Sequence, residues 1–276
     1  MGVKLFVSDI DGTLLTPGKK ISARNIDAVK KMVAAGITVT IATGRMYKAA
    51  LPIAKELGVN VPIITYNGAL IKSVEGEILH AEYLPEDLVV ELVNFYQRQG
   101  WYLQSYSEDN LYYAEFNKYA DYYQTMQKVQ GAAIGWDGMK NKTSHVCKLL
   151  SISDNEEQTL ARMAALKAEF AGKIDVTKST PIYTEIICPG VSKAAAVKIL
   201  AQKLGVDRSE VMSIGDSDND LPMLKAAGKS IAMGNGTDEV KASCDFVTAA
   251  CEEDGFAQAV EKFVLTANGY KLLATS

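Results

Sequence analysis

Val3-Lys4-Leu5-Phe6-Val7-Ser8-Asp9-Ile10-Asp11-Gly12-Thr13 carries an apolar stretch straight into two carboxylates. The stretch is short, rich in β-formers and flanked by polar residues, so it reads as a buried strand. Asp9 and Asp11 stand where that strand must stop, and Gly12 permits a sharp turn because it lacks a Cβ. In an open α/β sheet the crevice beyond the carboxyl ends of the strands is where ligands bind. Like unit charges about 4 Å apart repel by roughly 4 kcal/mol at an effective dielectric near 20, so two acids at one strand tip call for an offset. A divalent cation is the simplest one; a solvated Asp-Gly turn is the plainer alternative.

Outward from this run the pattern is strand–helix–strand–helix–strand. Ile21 to Ala35 reads as a helix with Ser22 able to cap it, apolar residues at Ile26, Val29, Met32 and Val33, and Gly36 at its end. Ile37–Ala42 is a β-branched strand that runs into Thr43-Gly44-Arg45. A helix over Tyr47–Leu57 and a strand over Val61–Tyr66 follow, the latter ending at Asn67-Gly68. This order predicts a parallel sheet. After about Glu82 adjacent strand pairs and most of the aromatic residues predict an antiparallel α+β domain, with the Gly-rich run 131–142 the hardest part to assign. The α/β pattern resumes at Pro189 with a helix over Ser192–Leu204, a strand over Val211–Ile214, the run Gly215-Asp216-Ser217-Asp218-Asn219-Asp220, a strand over Ser230–Met233 and a last helix over Phe256–Val264. The expectation is a Rossmann-like core built from residues 1–82 and 189–276, with residues 83–188 inserted as a separate domain.

The 276 residues, 48% of them hydrophobic, suffice for one large domain or two ordinary ones. A net charge of −4 argues against a general nucleic-acid or membrane-surface binder, which needs a basic face. No apolar run approaches the length of a membrane span, and the N-terminus enters a strand without a signal-like leader. Cys147, Cys188, Cys244 and Cys251 form no C-x-x-C pair, and most lie in apolar segments as buried thiols do. These features point to a reduced, soluble, cytoplasmic protein.

Four features converge on the strand tips. Asp9 and Asp11 follow the first strand, Thr43 the second, and the Asp216–Asp220 run the strand at Val211. Lys193 opens a helix, where backbone N–H groups and the helix dipole favour an anion. Hard oxygen donors without His or Cys select Mg²⁺. An EF-hand reading of 216–227 fails because Leu221 replaces the required Gly and Ala227 the bidentate Glu. Each feature alone also has an ordinary explanation. Thr43-Gly44 and Asn67-Gly68 can be simple turns, Lys193 a solvated first-turn lysine, and Asp218 a solvent-facing acid. Arg45 can contact substrate or pair with an acid. The tyrosines of the insert can be core or a substrate platform, and His80 and His145 read as structural.

Taken in order, Asp9-Ile10-Asp11-Gly12-Thr13, Thr43-Gly44-Arg45, Lys193 and Gly215–Asp220 resemble the four motifs of the haloacid dehalogenase-like phosphatases. The insertion, with Asn67-Gly68-Ala69 and Gly190-Val191-Ser192-Lys193, resembles the Cof-type subfamily of sugar- and nucleotide-phosphate hydrolases; Ala194 departs from the usual Gly after the lysine. The resemblance implies that the core carries the catalytic site and that the insert is a cap that sets substrate specificity. It implies that Asp9 is the nucleophile forming an aspartyl-phosphate and Asp11 the general acid and base. Mg²⁺ is expected on the Asp9 carboxylate, the Asp11 carbonyl and Asp216. Thr43, Lys193, the main-chain N–H groups of Ile10 and Gly44, Asn219 and, less directly, Arg45 and Asn67 are expected at the phosphoryl group or substrate, with Asp220 orienting Lys193 or metal-bound water. The substrate expected is a small phosphorylated metabolite, a sugar phosphate first, with nucleotide or cofactor phosphates behind. A phosphotransferase or phosphomutase using the same intermediate, and a non-catalytic phosphometabolite-binding protein, are the alternatives.

Overall fold

The computed structural model describes residues 2–16, 20–59 and 61–266. Among these the chain packs as two compact units. The first comprises the residues up to Thr43, Leu51–Leu79 and those from Ser192 onward; the second comprises Gly44–Ala50 and His80–Val191. The fold class is α/β. In the first unit β1 (Leu5–Ser8), β2 (Thr38–Ile41), β3 (Val211–Gly215), β4 (Lys229–Ala232) and β5 (Phe246–Val247) form one sheet in the order β5-β4-β3-β1-β2, and every pair is parallel.

β1 lies inside this sheet and is covered on both faces, which is why its sequence is an apolar run rather than an alternation. Leu5 and Val7 pack with Val197 and Leu200 of the Lys193–Leu204 helix on one side. Phe6 meets Phe256 of the Gly255–Ala259 helix edge-on at 5.9 Å between ring centroids on the other. Serine caps start two helices, Ser22 as the sequence suggests and Ser192 one residue ahead of the helix that the sequence reading opens with it. The Ser22 hydroxyl accepts from the Asn25 N–H at 3.1 Å, and that of Ser192 accepts from the Ala195 N–H at 3.1 Å. Ser8 stands opposite Ile41 and Ile214 in the parallel register, so the residues that follow all three strands emerge at one edge of the sheet.

The segment after Val61 extends this edge. Its strand, Ile63–Thr65, is joined to the core by a parallel bridge between Ala42 and Ile64 and starts a three-stranded sheet with Leu70–Lys72 and Ile78–Ala81. The latter two strands go beyond the sequence reading. Between Thr65 and Leu70 the chain turns through Tyr66, Asn67 and Gly68, all at positive φ. The helix Asp238–Ser243 and the edge strand β5 were also not expected. The last helix is α-helical over Gly255–Ala259 and continues as a π-helical turn over Val260–Leu265.

In the second unit six strands take the order Asp175–Thr177, Tyr183–Ile187, Leu149–Ile152, Gln104–Ser107, Asn110–Tyr113 and Gly131–Ala133. All pairs are antiparallel except the last, in which Leu111 faces Gly131 in a parallel register. The run 131–142 is that edge strand followed by a short helix, Gly135–Asn141. The helix Glu86–Gln99 buries Leu88, Val89, Leu92, Val93, Phe95 and Tyr96, and this stripe packs with Leu149, Ile186 and Phe170.

Gly68 carries a local demand of this fold. At φ +106 it approaches the main chain so closely that a Cβ would lie 2.3 Å from the Ser192 carbonyl oxygen. Gly36 also has a positive φ, but nothing lies within 4 Å of its would-be Cβ. Gly68→Ala is therefore expected to lose roughly 1–3 kcal/mol of stability from backbone strain alone, with the clash added to it. Gly36→Ala is expected to lose less. Urea denaturation of the two variants checks the order, and an equal loss would contradict it.

Candidate active site

Three strand tips and one helix start supply the candidate residues. Asp9 follows β1, Thr43 lies two residues past β2, Asp216 follows β3, and Lys193 is the first residue of its helix. The Lys193 ammonium donates to Asp9 Oδ1 at 2.5 Å and to Asp220 Oδ1 at 2.6 Å. The three side chains are almost entirely shielded from solvent, with 1%, 7% and 0% of their surface exposed. Carboxylate oxygens of Asp9, Asp216 and Asp220 come within 4.8 Å of one another.

Asp220 is held from both ends. Its Oδ1 accepts from Lys193, while its Oδ2 accepts the main-chain N–H groups of Asp216 and Ser217, each at 3.1 Å. Both oxygens are thus committed to orienting neighbours. Asp216 Oδ1 accepts from the Thr13 hydroxyl at 3.0 Å. Its other oxygen lies where a Cβ on Gly12 would stand, 2.3 Å away, and Gly12 sits at φ +83. The Ile10 carbonyl accepts the N–H groups of Leu14 and Leu15, each at 2.9 Å, which folds the chain back directly after Asp9. Asp11 is exposed at that turn.

Thr43 is buried, and its main chain is tied to the Ile63–Thr65 strand and the following turn. Its N–H donates to Ile64 O at 3.0 Å and its carbonyl accepts from the Asn67 N–H at 3.0 Å. Asn67 is thereby brought beside Thr43 in a genuine hairpin turn. Asn219 lies in the single turn Asp218–Asp220, where its Oδ1 accepts from the Ser217 hydroxyl at 2.6 Å. The exposed Asp218 accepts from the Thr237 hydroxyl at 3.1 Å. Gly44 and Arg45 belong to the second unit, in which Arg45 is buried.

Sequence reasoning gave no role to Thr13 or Asn235. The Asn235 amide donates to Gly12 O at 2.9 Å and its Oδ1 accepts from the Cys251 N–H at 2.8 Å, so it braces the turn that carries Asp11. Gly234-Asn235-Gly236 after a strand was the available signal.

Charge in this cluster is unbalanced. Burial, and then the Asp220 charge, push the Asp9 carboxyl well above its ordinary range, although Lys193 pulls the other way. Burial and Asp220 likewise push Asp216 up to about 7, against the Thr13 hydrogen bond and Lys193. Burial alone would pull the Lys193 ammonium down, but Asp220 and Asp9 more than reverse it and hold it charged. Three acids around one ammonium form a donor set with room for further positive charge, and hard oxygen donors suit a hard cation.

The comparisons agree with this architecture. A family profile for haloacid dehalogenase-like hydrolases matches residues 6–260. The 5-amino-6-(5-phospho-D-ribitylamino)uracil phosphatase YcsE of Bacillus subtilis is 30% identical over 95% of this chain and 96% of its own. A solved haloacid dehalogenase-like hydrolase from Bacteroides thetaiotaomicron superposes with a TM-score of 0.87 at 30% identity, over 94% of this chain and 99% of that one. A solved subclass IIB sugar phosphatase of the superfamily gives 0.82 at 26% identity, over 95% and 99%. The chain belongs to the haloacid dehalogenase-like hydrolases. No helix among the described residues is long and apolar enough to cross a membrane.

The raised carboxyls fix a sign for stability without metal. A folded pKa above the unfolded one means that the native state binds more protons than the unfolded chain between the two values. For Asp9 and Asp216 that window runs from their ordinary value of 3.8 up to about 7 for Asp216. Their contribution is therefore lost as pH rises, and in EDTA the melting temperature is expected to fall from about pH 5 to about pH 8. Lys193 contributes no slope there, because its ordinary value of 10.5 lies above the window. Calorimetry across that range checks it; a rise would contradict the burial of these acids.

Proposed function

We propose that the chain is a Mg²⁺-dependent phosphatase that hydrolyses phosphomonoesters of small metabolites through an aspartyl-phosphate on Asp9. As an enzyme it is a phosphoric monoester hydrolase of the haloacid dehalogenase class. The observation that carries the reading is the buried Lys193 shared by Asp9 and Asp220, with Asp216 alongside, at the carboxyl ends of β1 and β3. Such a cluster suits an anionic substrate that arrives with its own positive partner.

The Asp9 carboxylate attacks phosphorus and the ester P–O bond breaks, which splits one slow displacement into two easier ones. Asp11 gives its proton to the leaving oxygen, and its exposure at the turn suits a group that must meet both an alcohol and a water. In the second step Asp11 takes a proton from water, the water oxygen attacks phosphorus, and Asp9 leaves as a carboxylate together with inorganic phosphate. Lys193, Thr43, Asn219 and the N–H groups of Ile10 and Gly44 hold the transferring phosphoryl oxygens. Asp220 keeps Lys193 aimed and charged. Asp9, Asp216 and the Asp11 carbonyl are the groups that would hold Mg²⁺, which when bound neutralises charge on the phosphoryl oxygens. The fit rests on the buried surplus of carboxylates and on Asp220 being otherwise engaged.

The first unit carries Asp9, Asp11, Thr43, Lys193 and Asp216, and the insert around residues 83–188 acts as the cap that selects the leaving group, with Arg45 and Asn67 near the substrate. A sugar phosphate is the first substrate to try, since the similar proteins include a sugar phosphatase and an enzyme acting on a phosphorylated ribityl compound. We place the protein in the cytoplasm, with no nucleic-acid or membrane partner.

Asp9→Asn is expected to lose at least about 10³-fold in kcat toward p-nitrophenyl phosphate with Mg²⁺, because the nucleophile is gone. Asp11→Asn is expected to lose roughly 10²–10⁴-fold. Released phosphate is the readout, with circular dichroism confirming that both variants fold. Full activity in Asp9→Asn would end the aspartyl-phosphate mechanism.

A further inference from the structure

We propose that Lys148 is a positioning residue for phosphoryl binding, holding the carbonyl of Gly44 and so fixing the Thr43-Gly44-Arg45 turn. The inference rests on the phosphatase reading. Lys148 precedes the strand Leu149–Ile152 of the second unit, in the otherwise apolar run Val146-Cys147-Lys148-Leu149-Leu150. Its ammonium donates to Gly44 O at 2.5 Å and to Glu185 Oε1 at 2.6 Å, and stands 5.6 Å from the centre of the Tyr106 ring. Lys148 and Glu185 are 1% and 2% exposed.

Stability alone is a poor reason for such a pair. Two buried ions lose much of their mutual attraction to desolvation, and well-packed apolar residues of similar volume often do as well or better. What apolar side chains cannot do is donate a hydrogen bond to a carbonyl. A peptide unit is planar and trans, so holding Gly44 O in one direction points the Arg45 N–H in the opposite one. It also restrains the backbone on which the Gly44 N–H is carried. Thr43, the preceding residue, is held through its own N–H and carbonyl by Ile64 and Asn67.

A second anchor on the same segment supports this. The hairpin tip between Gln104–Ser107 and Asn110–Tyr113 reaches the start of the Tyr47–Leu57 helix. There Asp109 Oδ1 accepts from the Lys48 N–H at 3.3 Å and Asn110 Oδ1 from the Lys48 ammonium at 2.6 Å. The segment Gly44–Ala50 is thus pinned at Gly44 and at Lys48 by side chains far away in sequence. Lys148 supplies the pin next to the phosphate-binding threonine.

The test compares the wild type, Lys148→Met and Lys148→Met/Glu185→Leu. The single variant removes the ammonium that Glu185 faces, and the double variant removes both charges of the pair, so the double is expected to recover much of the melting temperature that the single loses. It is not expected to recover function. Both variants should raise the inhibition constant of inorganic phosphate and the KM for p-nitrophenyl phosphate by about tenfold or more, as small misplacements of a binding group do. Amide hydrogen exchange over residues 43–50 should quicken in both. A double variant that is stable and inhibited by phosphate like the wild type, or with unchanged exchange over 43–50, overturns the assignment and leaves the phosphatase reading intact. A wild type that releases no phosphate overturns that reading, and the assignment with it.

Discussion

The interaction on which the rest of the molecule depends is a lysine buried between two aspartates. Lys193 reaches Asp9 across 184 positions of sequence and Asp220 across 27. Only the strand order that seats β1 beside β3, with the Lys193–Leu204 helix packed on them, brings the three together. An ammonium on the first residue of a helix is placed against the local rule, since the N-terminal end of the helix dipole favours anions. The two carboxylates outweigh that cost and the cost of burial together. Breaking a local preference where long-range chemistry demands it is the mark of a functional position. The arrangement also explains why Asp220 is fully buried: an acid that aims a lysine must itself be aimed, and the Asp216 and Ser217 amides do so.

Much of the architecture was legible because its signals are local. Apolar runs gave the strands of the core, Ser22 and Ser192 marked helix starts, and the Glu86–Gln99 helix carries its buried stripe in its own sequence. What escaped is held by partners rather than by preference. Gly131-Ala132-Ala133 has little tendency to extend, yet pairs with Leu111–Tyr113 at the edge of its sheet. Leu70–Lys72 is too short to show a period and is fixed by its antiparallel register with Ile63–Thr65. The π-helical end of the last helix likewise leaves no trace in composition.

The candidate site divides the same way. Asp9, Asp11, Thr43, Lys193, Asp216 and Asp220 could be picked out because each sits at a readable boundary, the end of a strand or the start of a helix. The structure then supplies the distances among Asp9, Lys193, Asp216 and Asp220. Thr13 and Asn235 could not be picked out, because a hydroxyl or an amide in a turn has many ordinary uses. Only the contacts to Asp216 and to the Gly12 carbonyl give them one here. Gly12 is the intermediate case. Its place in the turn was evident, but its second duty, leaving room for an Asp216 oxygen, arises only when β1 and β3 lie side by side.

The two fully buried lysines among the described residues show how charge count separates a structural task from a proposed chemical one. Lys148 meets one carboxylate, and its other hydrogen bond goes to a neutral carbonyl, so its own charge is matched one to one. Lys193 meets two carboxylates with a third close by, which leaves two negative charges unmatched when all are ionised. A buried surplus of that kind is expensive, and a folded chain lowers the cost by taking up protons or by holding a cation. The raised Asp9 and Asp216 carboxyls are the first of these responses. A divalent ion, as proposed above, would be the second, and it would match the surplus charge for charge. The lysine that is balanced can only hold its neighbours in place. The cluster around the other carries a surplus that a partner would offset, and that asymmetry supports placing the proposed chemistry at the tips of β1 and β3.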